Sequence, residues 1–251
     1  MGKNGFLFFI FIVCVSAVGS AQIVNVEKKR SNSTQKGWHG SVDFNFDVTQ
    51  NTRTILSLGN RTNVQYLKDH HRLLFLADLD RILADRDELV NKGYTHIRYN
   101  YEFGKKSRLA MEAFTQVQYN SVQLIQYRHL AGAGLRFSVY QSDSLKFWMG
   151  TLPMYEYEEL TSDIIERNFR QSTYLFFFYG QERFEFQTIN YYQPNLADFS
   201  DFRLTTGTTL EFGVLTWLRC ATTLDLTYDS RPPDGVPNVV YTLKNGIKLE
   251  F

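Results

Sequence analysis

The sequence predicts an all-β protein: a single antiparallel transmembrane β-barrel of about twelve strands, preceded by an N-terminal signal peptide. Three observations predict it. The chain opens on Lys3 and an apolar run from Phe6 to Val18. After that, segments of about ten residues alternate apolar and polar side chains between turns, the period of a strand with two unlike faces. No later stretch approaches the roughly 20 apolar residues that a membrane-crossing helix needs.

The first segment reads as a secretory signal. Its apolar run is shorter than a membrane span and ends in Gly19, Ser20 and Ala21, so cleavage after Ala21 is expected. Residues 22–36 form a polar lead-in, and 37–251 the barrel. Cys14 follows Val13 rather than a small residue, which argues against a lipid-anchored cysteine. Its removal leaves Cys220 alone, which excludes a domain stapled by intramolecular disulfides. Cleavage takes away Lys3 and no acidic residue, leaving 26 basic and 26 acidic side chains. Balanced charge gives no reason to expect nucleic acid as a partner.

The strands follow in order. Trp38, Val42, Phe44, Phe46 and Val48 make the first apolar stripe, then Leu56, Leu58, Val64 and Tyr66, then Leu73, Phe75, Ala77 and Leu79. Ile97, Tyr99 and Tyr101 mark the fourth, Leu109, Met111, Ala113 and Val117 the fifth, and Ala131, Ala133, Leu135 and Phe137 the sixth. Phe147 to Tyr157, Phe169 to Tyr179, Phe184 and Phe186, Leu204 to Phe212, and Leu218 to Tyr228 carry the next five. The last stripe, Val239, Tyr241, Leu243, Ile247, Leu249 and Phe251, is the clearest.

The opposite face separates a membrane barrel from a soluble sandwich. It carries Arg61, Asp78, Arg98, Glu112, Gln116, Arg136, Glu185, Arg203, Glu211, Asp225 and Lys244. Strands of bilayer-crossing length with aromatic ends favour the barrel. Short connections at 68–71, 104–107, 141–144 and 180–182 are expected on the periplasmic side. Longer ones are expected outside, at 83–93, 158–168, 193–200 and 229–238; the first outer loop, at 50–53, is short. Tyr241, Leu243, Ile247, Leu249 and the terminal Phe251 resemble the assembly signal of bacterial outer-membrane barrels. Outer-membrane lipid and the barrel-assembly machinery are therefore the expected partners, and the bacterial outer membrane the expected location.

Trp38 and Gly40, Gly59 and Asn60, and above all EAFTQVQYNSVQLIQYRHLAGAGLR at 112–136 carry a family resemblance. So do Tyr192, Gln193 and Pro194, Asp201, Phe202 and Arg203, and the Pro-Pro-Asp-Gly run at 232–235. On these residues the chain resembles the YdiY-like, salt-induced family of outer-membrane proteins, which carries domain of unknown function 481. The resemblance implies an outer-membrane barrel and brings no catalytic residues, cofactor or substrate.

Chemistry is sparse. Arg128, Arg136, Arg170 and Arg203 are the best candidates for basic side chains facing the lumen, with Glu112, Glu185 and Glu211 as expected partners. Such groups either pair into a polar core or line an aqueous path. His129, facing lipid near the outer rim, is the one histidine placed like the base of a barrel lipase, but no lipid-facing Ser stands in register with it. His70 and His71 with Asp69 make only a weak metal signal. No phosphate loop, zinc or calcium spacing is present. The expectation is a non-enzymatic barrel without cofactor, a narrow diffusion pore or envelope-stress component that passes small solutes or ions. The alternatives are a closed barrel working through its outer loops, and a lipid-modifying enzyme.

Overall fold

Residues 36–104, 107–215 and 217–249 are described by the structure, a computed structural model. The expected signal peptide and nearly all of the lead-in lie outside these residues, as does Phe251. Within them twelve strands follow one another: β1 (Gly37–Gln50), β2 (Thr54–Lys68), β3 (His71–Ala84), β4 (Asp87–Glu102), β5 (Leu109–Asn120) and β6 (Ile125–Gln141). β7 (Leu145–Leu160), β8 (Ile165–Gln181), β9 (Phe184–Pro194), β10 (Phe202–Leu215), β11 (Leu218–Asp229) and β12 (Val239–Leu249) complete them. Each pairs antiparallel with the next, in one sheet of sequential order. This is the twelve-stranded, all-antiparallel architecture that the alternation implies.

Period two assigns the faces. Along β7 and β8, buried residues alternate with half-buried and exposed ones: Leu152, Met154, Glu156 and Glu158 point inward, Thr151, Pro153, Tyr155 and Tyr157 outward. The outward side is apolar over most of the sheet. Phe44 is 78% exposed and Ile247 74%, an apolar surface without the polar cover a water-facing sheet would carry.

Two connections differ from expectation. The segment 83–93 is not a long loop: β3 runs to Ala84 and β4 starts at Asp87, with Asp85 in the left-handed region at φ 57°. Likewise 158–168 is mostly strand, since β7 reaches Leu160 and β8 begins at Ile165. Loops were expected in both segments, but charged side chains at a barrel rim also extend strands into water. Only 195–201 and 230–238 are long connections on the rim distal to the start of β1. There Arg231 reaches Asp198 at 2.6 Å and Ser200 at 2.7 Å. Hydrogen bonds from the Ser200 hydroxyl and backbone N–H, and then from Arg231, hold the Asp198 carboxyl below the usual carboxylate range. The clasp is thus intact above about pH 4 and weakens as pH falls through that lowered value.

The strands are strongly staggered. Crossing the sheet along its hydrogen-bonded register from Gly37, at the proximal end of β1, leads through Leu67, Arg72, Asn100 and Glu112. It continues through Gly134, Leu152, Ser172, Gln193, Arg203 and Asp229 to Asn238, at the distal end of β12. Among the described residues no hydrogen-bonded register joins β1 to β12. Both edges match in polarity: Phe44, Phe46 and Val48 face outward on β1, Tyr241, Leu243 and Ile247 on β12.

The stagger selects a closing register. Setting Val239 beside Gln50 gives a shear of about fourteen residues and a strand tilt of about 39°, for ~3.3 Å rise and ~4.8 Å spacing, inside the usual 35–45°. Two residues fewer gives a tilt of about 34°, below that range. Two more would push Val239 past Gln50 into the 51–53 turn. Odd shifts would turn one edge inside out. The chosen register puts Lys244 opposite Asn45, diagonal to both Asp43 and Asp47. In a Cys14→Ser, Cys220→Ser background, Asn45→Cys with Lys244→Cys should form an intramolecular disulfide on oxidation of the folded chain, read by gel mobility. Asn45→Cys with Thr242→Cys or with Gly246→Cys should not.

Candidate functional site

Inward positions near the distal ends of β6, β7, β8 and β10 bring together one buried charge network. Glu156, with no exposed surface, is its centre. Arg170 Nε donates to it at 2.6 Å, Arg203 bonds its other carboxylate oxygen, and Arg128 Nε lies at 3.5 Å. Glu158, 2% exposed, accepts from Arg128 at 2.6 Å and Arg203 at 3.1 Å. Asp201 takes a forked pair from Arg170 at 2.9 and 3.0 Å, and Asp229 accepts from Arg203 Nε at 2.7 Å. Burial of so many charges is tolerated because Arg170 and Arg203 each have carboxylates on several N–H groups, and Arg128 bonds Glu158 and stands within ion-pair distance of Glu156.

A second level lies toward the proximal rim. Glu112, also without exposed surface, accepts from Tyr174 Oη at 2.6 Å and from Asn100, and stands 3.6 Å from Arg136. Arg136 lies over the Trp148 ring at 5.5 Å, and Arg98 over Phe114 at 6.0 Å. His96 meets Gln116 at 2.9 Å, and Gln116 bonds Gln118 at 2.6 Å. Beside them sits an apolar cluster of Leu152, Tyr174, Phe176, Phe178, Ile189 and Tyr191, with Trp148 stacked on Phe176 at 4.6 Å. Tyr174 lies where a Cβ on Gly150 would be, so only glycine lets this ring cross the lumen there.

The interior is therefore filled from one side. Inward residues of β4 to β10 are largely buried, whereas those of β1 (Ser41, Asp43, Asn45 and Asp47) are exposed. Arg61 and Lys244 are exposed too, and Asp78 and Asp225 half-buried. Arg61 stands opposite Asp43 on one side and Asp78 on the other. These residues form a solvent-accessible wall of mixed charge facing the packed one.

The sequence-selected residues divide accordingly. Arg128, Arg170 and Arg203 meet in the distal network, while Arg136 and Glu112 share the second level. Arg98 is buried near Phe114, and Arg61 and Lys244 belong to the open wall. Glu185 and Glu211, expected to pair with the arginines, do not. They stand opposite each other across β9 and β10 near the proximal rim, far from the distal cluster. The arginines' acids are instead Glu156, Glu158, Asp201 and Asp229. Tyr241, Leu243, Ile247 and Leu249 all project outward and are 52–74% exposed. His129 also faces outward, and its Nε2 lies 2.9 Å from Thr115 Oγ1, so a threonine rather than a serine hydroxyl stands beside it. His71 Nδ1 bonds Tyr99 Oη at 2.6 Å, and among the described residues no group of three His, Cys, Asp or Glu could hold a metal.

An apolar outer face around a charged, hydrogen-bonded interior defines an antiparallel β-barrel of inverted polarity, polar inside and apolar outside. The chain belongs to the family described as "Protein of unknown function, DUF481", whose model matches residues 42–249. That match leaves the narrower YdiY-like name aside. No curated protein matches the chain. Among solved structures, the NanC porin in a rhombohedral crystal form is similar at 12% identity, with 78% of this chain and 94% of that chain covered and a TM-score of 0.44. The KdgM porin is similar at 11%, covering 82% and 98%, with a TM-score of 0.37.

The network predicts unequal costs for removing single charges. Glu156→Gln leaves three buried guanidinium groups short of a carboxylate and should destabilise the folded barrel by about 3–5 kcal/mol in urea titrations. Glu211→Gln removes one of two opposed like charges and should change stability by no more than about 0.5 kcal/mol, or raise it slightly.

Proposed function

We propose that the protein is a bacterial outer-membrane barrel offering small hydrophilic solutes or ions a narrow passage along one wall, and that it is not an enzyme. The carrying observation is the one-sided filling of the interior. The passage runs between the packed wall and the hydrated residues Asp43, Arg61, Asp78, Asp225 and Lys244. The apolar outer face suits lipid, and a folded outer-membrane barrel implies the barrel-assembly machinery as an earlier partner. In this reading the proximal rim is periplasmic and the loops 195–201 and 230–238 are outside.

A second reading, a closed barrel acting through those loops, is favoured by the distal ion-pair network. Pro232, Pro233 and Val236 of the last loop also lie over Ile125, Arg128 and Arg203 at the same mouth. A lipid-modifying role would rest on His129 with Thr115 as nucleophile. It lacks the third group that orients a catalytic base, since among the described residues nothing bonds the other ring nitrogen.

Planar-bilayer recording on refolded chain decides between pore and plug. Small, discrete steps are expected. Lys244→Gln should shift the reversal potential in a salt gradient toward cation preference, and Asp43→Asn toward anions. A silent bilayer from protein whose heat-modifiable gel migration proves folding would sink the passage and leave the closed barrel.

A further inference from the structure

The outward face is not uniformly apolar. On β7 to β10 it carries Thr151, Gln171, Thr173, Thr188, Asn190 and Thr208, all half-buried or exposed, alternating with buried inward residues. Aromatic pairs bracket this patch: Tyr155 with Phe169 on the distal side, Phe177 with Phe186 and Tyr179 with Phe184 on the proximal side. If those pairs mark the two membrane interfaces, the patch lies at hydrocarbon depth. Across the barrel, β1 and β3 present Val42, Phe44, Phe46, Leu73 and Leu79 outward. The oxygens of the outward amides there, Asn60 on β2 and Asn245 on β12, each accept from a neighbouring threonine, Thr62 and Thr222.

The patch is only partly satisfied by its own bonds. Gln171 Nε2 donates to Thr151 Oγ1 at 2.6 Å, and Thr151 and Thr173 hydroxyls meet at 3.2 Å. Asn190 Nδ2 reaches Thr188 Oγ1 at 3.3 Å, and Thr188 meets Thr208 at 2.9 Å. Each carboxamide has two donor hydrogens and an acceptor oxygen. Among the described residues, one donor of each amide is used and both oxygens, Gln171 Oε1 and Asn190 Oδ1, accept nothing. Lipid tails offer such groups no partner, and leaving them so costs free energy.

We infer that this face of β7 to β10 is the interface of a homodimer, two copies packing patch to patch about a two-fold axis. The inference rests on the membrane-spanning reading above. A second copy supplies what the amides lack, because the patch carries donors and acceptors in kind: one copy's amide oxygen accepts from the other's N–H. No charged side chain lies in the patch, so like copies meet without repulsion. Thr and Pro153 are small enough for two sheets to approach closely, as small and polar residues do between membrane segments. Headgroups cannot serve as the occupant at this depth.

The test is native mass spectrometry of the full chain refolded in detergent, with heat-modifiable gel migration scored in parallel. A dimer is expected for the wild type. Gln171→Leu with Asn190→Leu should raise the dissociation constant at least about tenfold and yield monomers that keep the folded band. In a Cys14→Ser, Cys220→Ser background, Asn190→Cys should give disulfide-linked dimers in vesicles, and Ile97→Cys, on another wall, should not. A folded wild-type monomer, a trimer, or a dimer undisturbed by the double variant would overturn the inference. A wild type without any folded band in detergent would instead sink the membrane reading, and the dimer with it.

Discussion

The fold's interior depends on one carboxylate. Glu156 sits where three guanidinium groups converge, from β6, β8 and β10, and so ties four strands together. A single antiparallel sheet fixes only neighbouring strands to each other, since every backbone hydrogen bond runs between adjacent chains. Contacts across the lumen must come from side chains. Arg203 on β10 reaching Glu156 on β7, and Tyr174 on β8 reaching Glu112 on β5, supply them. The long, forked arginine is suited to this, because it spans a lumen and satisfies two acceptors at once.

Such a core is polar where a soluble protein's is apolar, and the membrane-spanning reading proposed above gives the reason. With lipid outside, apolar side chains gain most from facing outward, so the inward face fills with what remains. The Arg–Glu lattice and the Trp148–Phe176 stack are two ways of filling it. Beyond Asp229 at the end of β11, neither extends to β1, β2, β11 and β12, where the short inward side chains Ser41, Asn45, Gly59, Ala221, Thr223 and Gly246 stand among a few long ones such as Arg61 and Lys244. Short side chains leave space, and space among polar groups fills with water. The asymmetry between a packed and a hydrated wall is thus written in side-chain length as much as in charge.

Most of the fold was legible in the sequence because period two is a strong signal when the two faces of a strand differ in polarity. Strand number, faces and short proximal turns all follow from it. The distal network was half legible. Its arginines stood out, but Glu156, within the seventh strand's expected stripe, was not singled out, and Glu158 fell where a loop was expected to begin. The alternation of Tyr outward and Glu inward was present there and could have placed both. Phe176, Phe177 and Phe178 defeat period two altogether, since an apolar residue on either face looks the same. Asp201 and Asp229 join the network from a loop and a strand end, where spacing carries no information about what lies across the lumen. The opposition of Glu185 and Glu211 likewise depends on the register of β9 and β10, which no single segment encodes.

The packed wall and the polar outward patch fall on overlapping strands, β4 to β10 and β7 to β10, and the overlap has a physical sense. A surface that must match a second copy has to be held still, because each hydrogen bond across an interface loses its gain if the groups must first be ordered. The ion-paired lattice behind β7, β8 and β10 does that holding. On the far side the seam of β1 and β12 carries no buried lattice, and its outward face is apolar over most of its length, with Asn245 bonded to Thr222 as an exception. A pair of barrels joined through their rigid walls would therefore turn both seams, and both hydrated walls, away from the interface. Packing between copies would then leave the aqueous path of each barrel untouched.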